Sequence, residues 1–178
     1  MFSQYFLDKR SSTVGTLVLM GLYALTNSAG AANPEPVTVE VEFVDPITIT
    51  ENNALQFGLL DQNLANLETI VIAPNSAVTD AAGRVLGGTQ AASDLTVVST
   101  AAQAITILVD NVVNGTGYTL GNIVCSYNGG ADTACDGAGM SATSVASATL
   151  LIGTTMTGDG GSVTGVANGS FDVTLSYQ

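Results

Sequence analysis

The 178-residue chain carries fifteen acidic and three basic residues, no histidine and no tryptophan, and its formal net charge is −12. Such a surface repels phosphate backbones and anionic lipid, which excludes nucleic acid as a partner. Without histidine, a Ser–His or Cys–His nucleophile and most general-base arrangements cannot be built, so the composition points away from an enzyme and from a cofactor.

Residues 1–31 have the pattern of a secretory signal peptide. Lys9-Arg10 precedes the apolar run 13–25, and Ala29-Gly30-Ala31 is a small-x-small cleavage site. The expected mature chain begins at Ala32, with cleavage after Ala32 left open. The run is short for a membrane span, which needs roughly 20 apolar residues, so no membrane insertion is expected after cleavage. Loss of Lys9, Arg10 and Asp8 leaves Arg84 against fourteen acidic residues, a net charge of 1 − 14 = −13. Association between such chains has to rest on apolar burial and backbone hydrogen bonds rather than on ion pairs.

Beyond the leader, Asn33-Pro34-Glu35-Pro36 is a stiff extended segment. In 37–44, VTVEVEFV, apolar residues at 37, 39, 41 and 43 alternate with Thr and Glu, the cleanest strand pattern of the chain. Asp45-Pro46 ends it. Residues 47–50 are expected as a second strand, Glu51-Asn52-Asn53 as a turn, and 54–60, ALQFGLL, as a third strand. Residues 68–73 read as a buried strand, 77–89 as small and polar with turns at Ala82-Gly83 and Gly87-Gly88. The segments 94–100 and 104–110 read as two strands joined by Ala101-Ala102-Gln103. Residues 118–127 lead into a cysteine loop, 143–157 contain a strand around 148–152, and Asp159-Gly160-Gly161 turns into a final stretch, 162–178. There Val163, Gly165, Ala167, Gly169, Phe171, Val173, Leu175 and Tyr177 alternate with mostly polar residues, predicting a half-buried strand with a tapering apolar side. No segment shows a sustained 3.6-residue period. About seven to nine short strands separated by Gly and Asn turns predict an all-β sandwich.

Cys125 and Cys135 flank SYNGGADTA. An even cysteine count in an exported chain predicts a disulfide. Zinc would need more nitrogen or sulfur ligands than the chain offers, so no metal site is expected there. Asp132 and Asp136, four apart, read as solvated loop carboxylates. A weak calcium site at Asp132, Asp136 or Asp159 is left open, although the spacing is not that of an EF-hand loop.

Tyr177 is the penultimate residue, and Gly165 stands fourteenth from the end of an alternating strand. In these respects the C-terminus resembles that of chaperone–usher pilins. The opening VTVEVEFV–DPITITENNALQFG, which reaches the pair Phe57-Gly58, is similar to the start of spore-coat-U-like secreted domains and archaic pilins. It is also similar to a family of small secreted bacterial domains of unknown function with the same ITIT…LxFG opening. Ile49 departs from the pattern, standing where such pilins often carry a cysteine. The resemblance implies an immunoglobulin-like β-sandwich, residues 46–178, that lacks its last strand. Residues 32–45 are then an N-terminal extension that completes another copy by donor-strand complementation.

The implied donor residues are Val37, Val39, Val41 and Phe43. The implied acceptor groove is Gly165, Ala167, Gly169, Phe171, Val173, Leu175 and Tyr177, the first three leaving room for donor side chains. The implied partners are identical subunits in a head-to-tail filament, with a periplasmic chaperone and an outer-membrane usher, and the implied location is the cell surface. The same strand chemistry also suits a self-contained secreted sandwich, a coat, matrix or ligand-binding module with 37–44 as its own first strand. The residues alone leave both open.

Overall fold

The computed structural model describes residues 38 and 40–178. The expected leader and cleavage site and the positions Val37 and Val39 lie outside the described residues. All that follows concerns Val41–Gln178, which forms one compact unit.

Twelve strands follow in chain order: β1 (Thr48–Asn53), β2 (Leu59–Leu60), β3 (Thr69–Ile72), β4 (Val78–Asp80), β5 (Val85–Gly87), β6 (Ser93–Val98), β7 (Ala104–Val113), β8 (Tyr118–Tyr127), β9 (Thr133–Ala134), β10 (Met140–Thr143), β11 (Ser147–Gly158) and β12 (Ser170–Tyr177). No described residue is helical.

The long β11 organises the larger sheet. Its even-numbered residues Ala148, Leu150, Ile152, Thr154 and Met156 are all buried, because side chains two apart share a face. One edge of β11 pairs with β8, and the other pairs first with β6 and then with β3. The outer positions are taken by β1 on β6, β4 on β3 and β9 on β8. A second sheet has the order β10-β7-β12, and β2 pairs with β5 apart from both. Every pairing is antiparallel.

The two main sheets enclose a common core of Leu95 and Val97 from β6, Ile105, Ile107 and Val109 from β7, and Ile123, Cys125 and Tyr127 from β8. Cys135, Met140 and the β11 residues Ala148, Leu150 and Ile152 complete it. The protein is thus an all-β sandwich. Read along β1-β6-β11-β8 and β7-β12, the strands take the order A-B-E-D and C-F of the immunoglobulin sandwich, whose remaining strand, G, lies beside F. No described strand stands there. Between β1 and β6 the chain inserts β2 to β5, which thicken one end of the sandwich around Leu64, Ile70 and Met156.

Cys125 and Cys135 are bonded, with their Cα atoms 5.7 Å apart. Both are fully buried, and the bridge ties β8 to the residue after β9. On the chain-entropy model a loop of this length contributes about 2–3 kcal/mol.

Several expectations are corrected. The described part of 37–44 is not a strand: 40–47 carry no strand pairing, and Val41 and Phe43 are 64% and 90% exposed. Alternation supplies a strand's faces but not its hydrogen-bonding partner, and the described chain offers this segment none. The strand expected over 162–178 begins only at Ser170. Its partner β7 ends at Val113, opposite Ser170, so the ladder runs out there, and Gly160 and Gly165 upstream adopt left-handed φ values of 83° and 90°.

The strand expected at 54–60 is reduced to a Gln56–Ala91 bridge and the two residues of β2, since Gly58 turns the backbone with φ 80°. Conversely, 77–89 contains β4 and β5. These are too short to show a period and are recruited by β3 and β2.

Candidate functional site

The free edge of β12 is the candidate site. Along its inner edge β12 pairs with β7, from Ser170 opposite Val113 to Tyr177 opposite Ile105. Along its outer edge no described strand pairs with it. The consequence shows in burial. On β7 the inward residues Ile105, Ile107 and Val109 are 0–1% exposed, whereas on β12 the inward residues Phe171, Val173, Leu175 and Tyr177 remain half-buried, though they pack on the same core. In the other sheet, β1 is exposed at every residue, Ile49 included, while Ile47 packs against the core. The inward residues of β12 are therefore left partly uncovered at a sheet edge, beside a row of unpaired backbone groups that forms a template for another strand.

One end of this edge is closed by hydrogen bonds. The Tyr177 hydroxyl accepts from the Thr100 backbone N–H at 2.9 Å and donates to the Asp45 carbonyl at 2.8 Å. The Asp45 N–H donates to Thr100 Oγ1 at 2.7 Å, and Gln103 Nε2 donates to Glu42 Oε1 at 2.7 Å. The chain ahead of β1 is thus pinned to the β6–β7 turn at the Tyr177 end, with Val41 and Phe43 projecting from it into solvent. These pins, on Asp45, Thr100 and Tyr177, were not legible in sequence. Only the Asp45-Pro46 break marks the place.

At the Ser170 end the edge meets a cavity of about 560 Å³. Leu64 and Met156 are buried at its floor, and Phe57, Leu60, Tyr118 and Leu120 wall it half-exposed. The loop 161–169 closes one side, so Gly165, Ala167 and Gly169 line this cavity rather than the strand edge.

Gly165 and Gly169 each have a reason to be glycine within their own subunit, and the Ala167 backbone is engaged there. A Cβ on Gly169 would meet the Val113 carbonyl oxygen at 2.8 Å and the Tyr118 hydroxyl at 3.2 Å. Gly165 sits at φ 90° with open space around it. The Ala167 carbonyl accepts from the Tyr118 hydroxyl at 3.3 Å, and burial pushes that phenol above its ordinary range, so it stays a neutral donor. The structure brings Phe171, Val173, Leu175 and Tyr177 together on one edge and separates the three small residues from them.

The inserted wall of the cavity is fastened by Arg84, the one Lys or Arg among the described residues. Its Nε and Nη2 donate to the two Glu68 carboxylate oxygens at 2.8 and 2.9 Å, and Nη1 donates to Asp61 Oδ2 at 3.2 Å. The Arg84 hydrogen bonds hold Glu68 below the usual carboxylate range, and the Asn63 N–H, followed by Arg84, does the same for Asp61.

The loop carboxylates have local roles: Asp136 Oδ2 accepts from the Ile123 N–H and Asp159 Oδ1 from the Gly161 N–H. Asp132, Asp136 and Asp159 do not converge: no group of three or more His, Cys, Asp or Glu placed to hold a metal occurs among the described residues. No helix among them is long and apolar enough to cross a membrane.

No curated protein and no solved structure matches the chain. A family model described as a domain of unknown function, DUF4402, matches residues 47–177, from one residue before β1 to the last residue of β12. By that match, which takes in the whole sandwich, the chain belongs to the DUF4402 family.

Proposed function

We propose that this protein is the structural subunit of an extracellular, pilus-like filament, its sandwich completed by the N-terminal segment of another copy. The observation that carries the reading is the unpaired edge of β12, where Phe171, Val173, Leu175 and Tyr177 stay half-exposed while Ile105, Ile107 and Val109 of the neighbouring strand are buried. A second observation supplies the complement. An alternating apolar segment, with Val41 and Phe43 exposed and unpaired, precedes β1. Four donor side chains of this kind, fully buried, stabilise a contact by roughly 6–12 kcal/mol at ~1.5–3 each. The strand ladder adds backbone hydrogen bonds that need no charge complementarity, which suits a chain of net charge −12.

A subunit that waits with an open apolar edge invites aggregation. A periplasmic chaperone that covers the edge and an outer-membrane usher that releases it are therefore the proposed partners. The buried disulfide fits an oxidising compartment.

The test is negative-stain microscopy of native cell-surface material, together with a chain deleted for 33–44. Filaments from the intact chain, and exported but unassembled subunits from the deleted one, are expected. Monomers from both, or a deleted chain that no longer folds, would favour the self-contained secreted module.

A further inference from the structure

We propose that the cavity at the Ser170 end of β12 is the seat for Phe43 of a second copy of this chain. The inference rests on the filament reading and adds to it a place of entry. Phe43 is 90% exposed, and the chain two residues on is fixed at Asp45 by the Tyr177 hydroxyl and Thr100. Two residues span about 7 Å at most. From Tyr177 to Ser170 the strand runs about 24 Å at 3.4 Å per residue. Phe43 therefore cannot reach the cavity of its own subunit, and any Phe43 found there comes from another chain.

The fixed exit point also selects the entry point. If the segment entered its neighbour at the neighbour's Tyr177 end, both exits would face each other. The two segments would then exchange in a closed, two-fold pair. Entry at the Ser170 end leaves the neighbour's own exit free for a third copy, and the assembly stays open. In that direction the incoming segment runs antiparallel to β12. Its last apolar residue, Phe43, falls opposite Phe171, at the threshold of the cavity.

The lining mixes apolar side chains, two of them the aromatic Phe57 and Tyr118, with the polar Gln56, Gln62, Thr89 and Asn168. Phe57, Leu60, Tyr118 and Leu120 stand half-exposed around a floor of Leu64 and Met156. No cation lines the cavity, and its one carboxylate, Asp61, is engaged by Arg84. Ring pairs with centroids 4.5–7 Å apart are favoured beyond simple area burial.

The experiment places a photoreactive residue, Phe43→p-benzoylphenylalanine, in the full chain, which keeps an aromatic ring at an exposed site. Irradiated material is separated under denaturing conditions, and the cross-links between chains are mapped by mass spectrometry. The expected result is a ladder of trimers and longer species with cross-links in 55–64, 116–120 or 161–169. Cross-links to 98–104 or 173–178 of the second chain, in products that stop at the dimer, would overturn both the seat and the filament reading in favour of a closed exchange. Filaments visible by microscopy whose cross-links map elsewhere would overturn the seat and leave the filament standing. Monomer alone, before and after irradiation, would remove both.

Discussion

The Tyr177 hydroxyl is used twice, accepting from Thr100 and donating to Asp45, and through it the last strand holds the start of the chain. Replacing Tyr177 with Phe keeps the ring on the core and removes both bonds. A net hydrogen bond is worth about 1 kcal/mol, and a donor left unpaired costs somewhat more. We expect Tyr177→Phe to lower stability by about 1–2 kcal/mol and to raise chymotryptic cleavage after Phe43 as the pin at Asp45 loosens. An unchanged cleavage rate would show that Asp45 is held by its Thr100 bond alone. The alternation of 171–177 makes the inward side of this strand readable from sequence, but the partners of the hydroxyl are 77 and 132 residues away, so no local pattern announces them. The same distance explains the reading of Gly169. Its smallness is visible in sequence, whereas the Val113 carbonyl and the Tyr118 hydroxyl that require it are set by tertiary packing.

Several strands with a partner inside the chain were legible: β3, β6, β7 and β11 lie within or across the segments expected for them, whereas Glu51-Asn52-Asn53, expected as a turn, continue β1 along β6. Those that depend on a neighbour were not. β4 and β5 are three residues each and exist because β3 and β2 present edges to them. The segment 37–44 has the best period of all, and its described part stays unpaired because period specifies a face and says nothing of a ladder.

The inserted β2–β5 pair depends on Arg84, which grips Glu68 and Asp61 across it. Both carboxylates have folded pKa values below their ordinary ones, so their contribution is complete above the unfolded value of about 4 and is lost as pH falls through the lower folded values. Arg84→Gln removes Arg84's share of that contribution at every pH and leaves the Asn63 and Ala65 N–H bonds in place. The difference in melting temperature between the two chains should therefore be present at pH 7 and should shrink below about pH 4. A difference that persists unchanged in acid would mean that Arg84 stabilises the wall by packing rather than by charge.

The molecule as a whole is an immunoglobulin-order sandwich with six of its strands in place and an open position beside β12. The all-β sandwich was readable from short strand-like segments and Gly and Asn turns. The unpaired edge of β12 was not readable from its own residues, because an unpaired edge is a property of the assembled sheet. We propose that the residues before β1 complete another subunit's fold rather than their own. The most direct measurement is the double variant Val41→Ser, Phe43→Ser, followed by denaturant unfolding of the monomer and by microscopy. Since both side chains are exposed in the subunit, the account predicts monomer stability within about 0.5 kcal/mol of the parent and no filaments. A monomer destabilised by several kcal/mol, or filaments formed as before, would contradict it.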